Sequence, residues 1–238
     1  MHHTYALIIP ALNEAESIGI LLDTLPRDLF SQIVVVDNGS RDRTAEVAAA
    51  AGVEVIYEPR RGYGQACLSG IRQVRPPVTA IAFMDADLSD NPEDLAQMVR
   101  HFDAGQWEMV LGSRVLGNAE PGSLTALQCF GNRLSTRLIA MLWHVHFTDL
   151  GPMRIVRRDC LARLNMRDRT FGWTVEMQAR AAQLGLRVCE LPVRYGRRQH
   201  GRSKVSGTIA GSFRAGVKIL WTILRCCLLP LRDSSSVH

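Results

Sequence analysis

The sequence predicts an α/β fold built on a mostly parallel central sheet, and three observations carry that prediction. Apolar runs of strand length alternate with segments of helical periodicity, the connections between them are short, and polar residues collect in the loops that follow the strands. Helices cover both faces of such a sheet, and ligands bind outside the carboxyl ends of its strands. A chain of 238 residues is long enough for one large domain with a sizeable core.

Tyr5 to Ile9 is the first apolar run, and Pro10-Ala11-Leu12-Asn13-Glu14 leads from it into Ile18, Leu21, Leu22 and Leu25 at helical spacing. A second run, Ile33 to Val36, ends in Asp37-Asn38-Gly39-Ser40-Arg41-Asp42-Arg43-Thr44 and enters an alanine-rich helix that stops at Gly52. Val53 to Tyr57 supplies a third strand, Arg60-Arg61-Gly62-Tyr63-Gly64 a glycine turn, and Gln65 to Val74 a third helix. Val78 to Met84 is the fourth strand, Asn91 is placed to cap a helix with Pro92 in its first position, and Met109 to Leu111 reads as a fifth strand. Leu134, Leu138, Ile139 and Leu142 mark a core helix.

Asp85 and Asp87 stand where the fourth strand leaves the sheet. Two carboxylates about 4 Å apart repel by roughly 4 kcal/mol at a protein surface unless a cation or proton lies between them. Mg²⁺ typically takes one or two protein carboxylates, keeps waters and completes its shell with substrate phosphate oxygens, so this pair points to a metal-bound diphosphate.

The net charge is +5, and Lys204 and Lys218 are the only lysines, so arginine carries the positive charge and anionic partners are favoured. No GxxxxGK[ST] or GxSxG pattern is present, which removes P-loop phosphoryl transfer and the hydrolase elbow. The six cysteines form no CxxC pair and the start lacks the features of a signal peptide, so a reducing, cytoplasmic setting is expected.

The loops PALNEAESI, VVVDNGSRDRT, RRGYGQA and MDADLSD, in this order, resemble the family 2 inverting glycosyltransferases. That resemblance implies a Rossmann-like nucleotide-sugar domain of the GT-A type, with Asp37 reading the nucleobase. Pro10, Asn13, Glu14, Gly62 and Asp85 fall beside the donor nucleotide, and Asp85 and Asp87 hold Mg²⁺ or Mn²⁺. Many members have a second aspartate where this chain has Asn38, and the related branch often has glutamine where it has Ser89. In the second half, Asp149 to Arg154, Trp173 to Glu176 and Arg197 to Lys204 are similar to the branch of dolichyl- and polyprenyl-phosphate sugar synthases. The implied reaction moves a hexose from UDP-glucose or GDP-mannose to a lipid phosphate.

The segment Arg197 to Lys204 packs four cations and a glycine into eight residues and lacks interleaved aromatics, which suits phosphate rather than nucleic acid. Arg198, Arg202, Ser203 and Lys204, with Arg154, are the candidates for phosphate or acceptor binding. A phosphate monoester with a second pKa of about 6 is already largely a dianion and needs no strong base. A hydroxyl acceptor would instead need Glu176 or Asp149 as catalytic base. A non-catalytic nucleotide- or membrane-binding protein is the alternative from another class.

Residues 1–206 form the expected catalytic domain, and 207–238 an amphipathic tail. On a helix Arg214, Lys218 and Arg225 fall within roughly 40° of one another, leaving most of the circumference apolar. That pattern suits a peripheral helix at the cytoplasmic face of an anionic membrane, each cation contributing about 1 kcal/mol. A helix of this kind can also pack on the domain or on a second copy of the chain.

Overall fold

The computed structural model describes residues 3–200, 209–229 and 231, with side chains from 216 onward in the later stretch. Arg202, Ser203 and Lys204 lie outside the described residues. The first half alternates as expected: β1 (Tyr5–Ala11), α1 (Ala15–Thr24), β2 (Phe30–Asp37), α2 (Thr44–Ala50), β3 (Glu54–Tyr57), α3 (Tyr63–Gln73), β4 (Ala80–Phe83), α4 (Asp94–Ala104) and β5 (Met109–Ser113). The second half adds α5 (Ala126–Trp143), β6 (Arg154–Arg157), α6 (Arg158–Leu164), α7 (Trp173–Gln183), β7 (Val188–Pro192) and α8 (Ile209–Leu228). α4 begins later than its cap signal suggests: Asn91 Oδ1 accepts from Glu93 N at 3.0 Å and closes a turn before the helix.

Among the described residues the strands form one seven-stranded sheet in the order β3-β2-β1-β4-β6-β5-β7. Every neighbouring pair is parallel except the two that β6 makes, with β4 and β5. Because β6 runs against its neighbours, its amino end lies at the edge where the others end. The approach to β6, from Asp149 to Arg154, thus meets the loops that leave β1, β2, β4 and β5.

Period-two alternation splits the core between the two faces of the sheet. Ala6 and Ile8 of β1 pack with Cys67 of α3 and Trp173 and Met177 of α7, while Tyr5, Leu7 and Ile9 pack with Leu21 of α1 and Met98 and Phe102 of α4. α5 carries a full capping box, Thr125 with Gln128, and ends on His144 in the left-handed region.

The orientation of α8 reverses the expected membrane stripe. Lys218 Nζ lies 2.9 Å from Asp168 Oδ2, and Arg225 Nη2 lies 3.4 Å from Glu176 Oε1. These cations turn inward with Thr222, Ile223 and Cys226, because two buried carboxylates await them on the domain, while Val217, Leu220, Trp221, Leu224 and Leu228 are exposed. Arg214's side chain lies outside the described ones. No helix among the described residues is long and apolar enough to cross a membrane.

Candidate active site

The loops after β1 and β2 are laced together. Asn13, at a left-handed φ of 52°, donates its N–H to Ser40 Oγ at 2.9 Å and accepts from Arg41 N at 2.7 Å, while Glu14 N donates to Thr44 Oγ1 at 2.8 Å. Pro10 lies within β1 opposite Val36, and Asp37 ends β2 opposite Ala11, its Oδ1 accepting from Ser40 N at 2.9 Å. The residues expected around the nucleoside therefore share one corner of the sheet edge.

Asn38 ties the third loop to this corner. Its Nδ2 donates to the carbonyls of Glu58 (3.1 Å) and Arg60 (2.8 Å), and its Oδ1 accepts from Gly62 N at 2.7 Å. An aspartate could not donate those two bonds, which gives the amide a structural reason. Gly62 is corrected by the same geometry: its N–H is taken by Asn38, and an added Cβ would stand 2.1 Å from the carbonyl oxygen of Arg169. It serves a close backbone approach and offers no free N–H to a nucleotide. The N–H groups of Gly64 and Gln65, two and three residues on, go to the carbonyls of Thr170 and Arg169.

Past β4, Asp87 Oδ1 accepts from Ser89 N at 3.0 Å, and Asp87 Oδ2 meets Arg198 Nη2 at 2.8 Å. The other arm of Arg198, Nη1, reaches Glu14 Oε1 at 2.8 Å. One guanidinium thus bridges acidic groups from two different strand ends, reaching Glu14 across 184 residues of sequence. Asp85 Oδ1 is sealed from solvent without a hydrogen-bond partner among the described residues. Burial, and then the neighbouring Asp87 charge, push the Asp85 carboxyl up to about 7. Ser89 supplies its backbone N–H to this loop.

The residues proposed for the second half behave differently. Asp149 is clamped by Arg114, which donates from Nε (2.7 Å), Nη2 (2.8 Å) and its backbone N (2.8 Å), and by Leu150 N at 2.8 Å. Burial works to raise the Asp149 pKa, but the Arg114 bonds and charge bring it below the usual carboxylate range. Arg114 also stacks on Tyr195, 5.0 Å from the ring centroid. Arg154, expected on phosphate, is fully buried and donates to the carbonyls of Pro152, Thr174 and Gly151. It ties the approach to β6 to the start of α7. Glu176 is likewise corrected as a base: it is fully buried, accepts from Arg167 N (2.9 Å) and Asp168 N (2.6 Å), and pairs with Arg180 at 3.0 Å.

Sequence reasoning missed Arg114 and Asp90. Arg114 follows β5 directly, and a strand-end arginine on a parallel sheet is the signal that could have found it. Asp90 was visible as a third acid in Asp85-Ala86-Asp87-Leu88-Ser89-Asp90.

Chemically, the edge combines an acidic pair with an unpartnered buried oxygen, a bridging arginine and a laced polar corner. The donor set is all oxygen and fits a hard divalent cation that shares its shell with phosphate.

The comparisons with known proteins agree with this chemistry. The model of the family described as "Glycosyl transferase family 2" matches residues 6–164. The chain is 39% identical over 223 residues to an uncharacterized glycosyltransferase of Mycobacterium tuberculosis, covering 92% of this chain and 96% of that protein. It is 30% identical over 199 residues to a low-salt glycan biosynthesis hexosyltransferase of Haloferax volcanii, covering 81% of this chain and 48% of that one. Among solved structures, glucosyl-3-phosphoglycerate synthase from M. tuberculosis in complex with Mn²⁺, uridine diphosphate and phosphoglyceric acid superposes with a TM-score of 0.75 at 20% identity, over 98% of this chain and 80% of that one.

Proposed function

The chain belongs to glycosyl transferase family 2 and is a glycosyltransferase with the GT-A fold; from that premise we propose that it transfers a hexose, with inversion, from a nucleotide-diphosphate sugar to a phosphate monoester carried by a polyprenyl chain. UDP-glucose and GDP-mannose are the donors to try. The observation that carries the acceptor is the state of the two candidate bases. Asp149 and Glu176 are both saturated with donors and ion-paired, so neither is poised to take a proton from a hydroxyl. A phosphate dianion attacks without one. The solved neighbour's complex with phosphoglyceric acid is compatible with a phosphate-bearing acceptor.

In this reading Asp37 contacts the base, with Asn13 and Glu14 alongside. Asp87 and Asp85 hold Mg²⁺ or Mn²⁺, which when bound stabilises the charge developing on the departing diphosphate. Arg198, already at Asp87 and Glu14, is within a side-chain swing of the same diphosphate, and Arg202, Ser203 and Lys204 follow it in sequence to serve the acceptor. Arg114 keeps Asp149 ionised and occupied at the rim.

A lipid acceptor requires a surface that meets the bilayer. α5 and α8 pack on each other, and neither contains an aspartate or glutamate. Their outer faces expose Phe130, Met141, Trp221, Leu224 and Leu228 together with Arg133 and Arg137. Apolar side chains flanked by arginines and free of acids complement an anionic leaflet, whereas a two-fold contact with a second copy would set those arginines against themselves. The protein is read as peripheral at the cytoplasmic face.

The test is transfer of labelled hexose from UDP-glucose or GDP-mannose to undecaprenyl phosphate in detergent, with 3-phosphoglycerate as a parallel acceptor. Organic-extractable label that needs Mn²⁺ or Mg²⁺ and falls about 10³-fold in Asp87→Ala supports the reading. Label on phosphoglycerate alone removes the lipid. Because that acceptor carries both a phosphate and a hydroxyl, rapid release of the label in mild acid keeps the phosphate as acceptor, whereas an acid-stable product makes the hydroxyl the acceptor. Co-sedimentation with phosphatidylglycerol vesicles should be lost in Trp221→Glu/Leu224→Glu while transfer in detergent persists; equal sedimentation of that variant would remove the α5/α8 surface from the account.

A further inference from the structure

We propose that Asp90 is a positioning residue for the divalent cation, its buried carboxylate accepting a hydrogen bond from a metal-bound water. The inference rests on the reading that Asp85 and Asp87 hold the ion.

Asp90 is 2% exposed, and neither of its carboxylate oxygens has a well-formed hydrogen bond among the described residues, the backbone N–H of Asp85 being the one donor near enough to favour its charged form. The contrast with the chain's other sealed acids is sharp. Asp94 receives Arg194 through Nε, Nη2 and the backbone N, Glu58 receives Ser69, Gln65 and Arg60, and Asp149 and Glu176 are saturated as described. Among the described residues, the sealed carboxylate oxygens with no partner belong to Asp85 and Asp90. Buried acceptors are normally satisfied, so an orphaned pair beside a metal-type motif marks a missing donor.

The loop has no slack with which to turn Asp90 outward. Residues 89–91 are paired with 194–196: Asp90 forms a bridge with Tyr195, Gly196 N donates to Ser89 O at 2.8 Å, and Asn91 N to Arg194 O at 3.3 Å. Nor, among the described residues, does a protein cation stand ready to serve it. Arg114, the arginine within electrostatic range, is committed to Asp149 and to the ring of Tyr195. The carboxylates that do face Asp90 are Asp85 and Asp87, and burial followed by their charges raises its pKa.

A direct third ligand is a poorer fit than an outer-sphere one. Among the described residues no three of His, Cys, Asp and Glu converge closely enough to hold an ion between them. Mg²⁺ held by one or two carboxylates keeps several waters, and each such water is a strong, oriented donor. An acceptor that orients a ligand from the outer shell typically changes metal affinity 10–100-fold when removed.

The full-length chain would be titrated with Mn²⁺, following free ion by electron paramagnetic resonance, with and without UDP, for the wild type, Asp90→Asn, Asp90→Ala and Asp87→Ala. The thermal midpoints of the metal-free proteins would be measured in parallel. The proposal expects about 10–100-fold weaker Mn²⁺ binding in both Asp90 variants, and a metal-free midpoint in Asp90→Asn at or above the wild type, since the replaced oxygens accept no well-formed protein hydrogen bond that could be lost. Unchanged affinity in a folded Asp90 variant overturns it. So does a lowered metal-free midpoint in Asp90→Asn, which would make Asp90 a structural acceptor. If Asp87→Ala binds Mn²⁺ like the wild type, the premise about the acidic pair falls, and that result is distinct from either outcome at Asp90.

Discussion

The acids of the loop 85–90 and the acids that close the second half of the chain occupy similarly buried ground with opposite surroundings. Asp149 and Glu176 each collect backbone N–H groups and an arginine, Arg114 through Nε and Nη2 for one and Arg180 through Nε for the other. Asp85 and Asp90 keep oxygens that have no well-formed hydrogen bond among the described residues. A buried carboxylate with a complete set of protein donors is a strut, whereas one left short of donors marks where an ion or its water belongs. Motif position alone does not separate the two.

The largest expected effect tests the strut side of that contrast. Glu176→Ala leaves Arg180, whose side chain is 3% exposed, without its carboxylate, and breaking a buried pair in this way costs about 3–5 kcal/mol. Denaturant unfolding would show it, while Glu176→Gln should leave the acid limb of the pH–rate profile where it is. Loss of that limb in the glutamine variant would make Glu176 a base and erase the contrast.

A smaller change probes the lacing of the donor corner. Asn38→Asp removes two amide donations and leaves the carbonyls of Glu58 and Arg60 unserved, for about 1–3 kcal/mol. Unaltered stability in urea would mean that the corner does not depend on the amide.

The pH dependence sharpens the difference between the two sets of acids. With its carboxyl at about 7 in the metal-free protein, Asp85 holds a proton below that value and must release it to ligate. Mn²⁺ affinity should therefore fall about tenfold per pH unit below neutrality, with proton release on binding near pH 6. Asp149 carries the opposite sign. Its folded pKa is depressed, so its contribution to stability is present above the unfolded value of about 3.9 and is lost as pH falls through the folded value. Calorimetry in two buffers of different ionisation enthalpy would read the released proton. An affinity flat from pH 6 to 8 would place Asp85 with the struts.

Much of the donor side was legible because its signals are local. Apolar runs, the Gly52 stop and the polar clusters after Ile9, Val36 and Met84 identify strands whose carboxyl ends must share an edge once the sheet is parallel. β6 escaped because a four-residue strand, Arg154–Arg157, with a charge at each end has no strand signature. Its antiparallel direction is what carries Asp149 to that edge. Arg154 and Glu176 looked exposed and chemical because charge in a sequence reads as solvent-facing, and nothing local shows that carbonyls or an arginine will enclose it.

The tail makes the same point by rotation. Periodicity correctly put Lys218 and Arg225 on one face of a helix, but which face turns inward depended on Asp168 and Glu176, some 50 residues away. By itself the sequence determined the order of strands, loops and helices, and so which polar loops crowd one edge of the sheet, because period and loop length act over a few residues. Tertiary structure alone decided which charges are paired, Arg198 with Glu14 and Asp87, Arg114 with Asp149 and Lys218 with Asp168. Burial and ion pairing are properties of neighbours that the chain brings together only when it is folded.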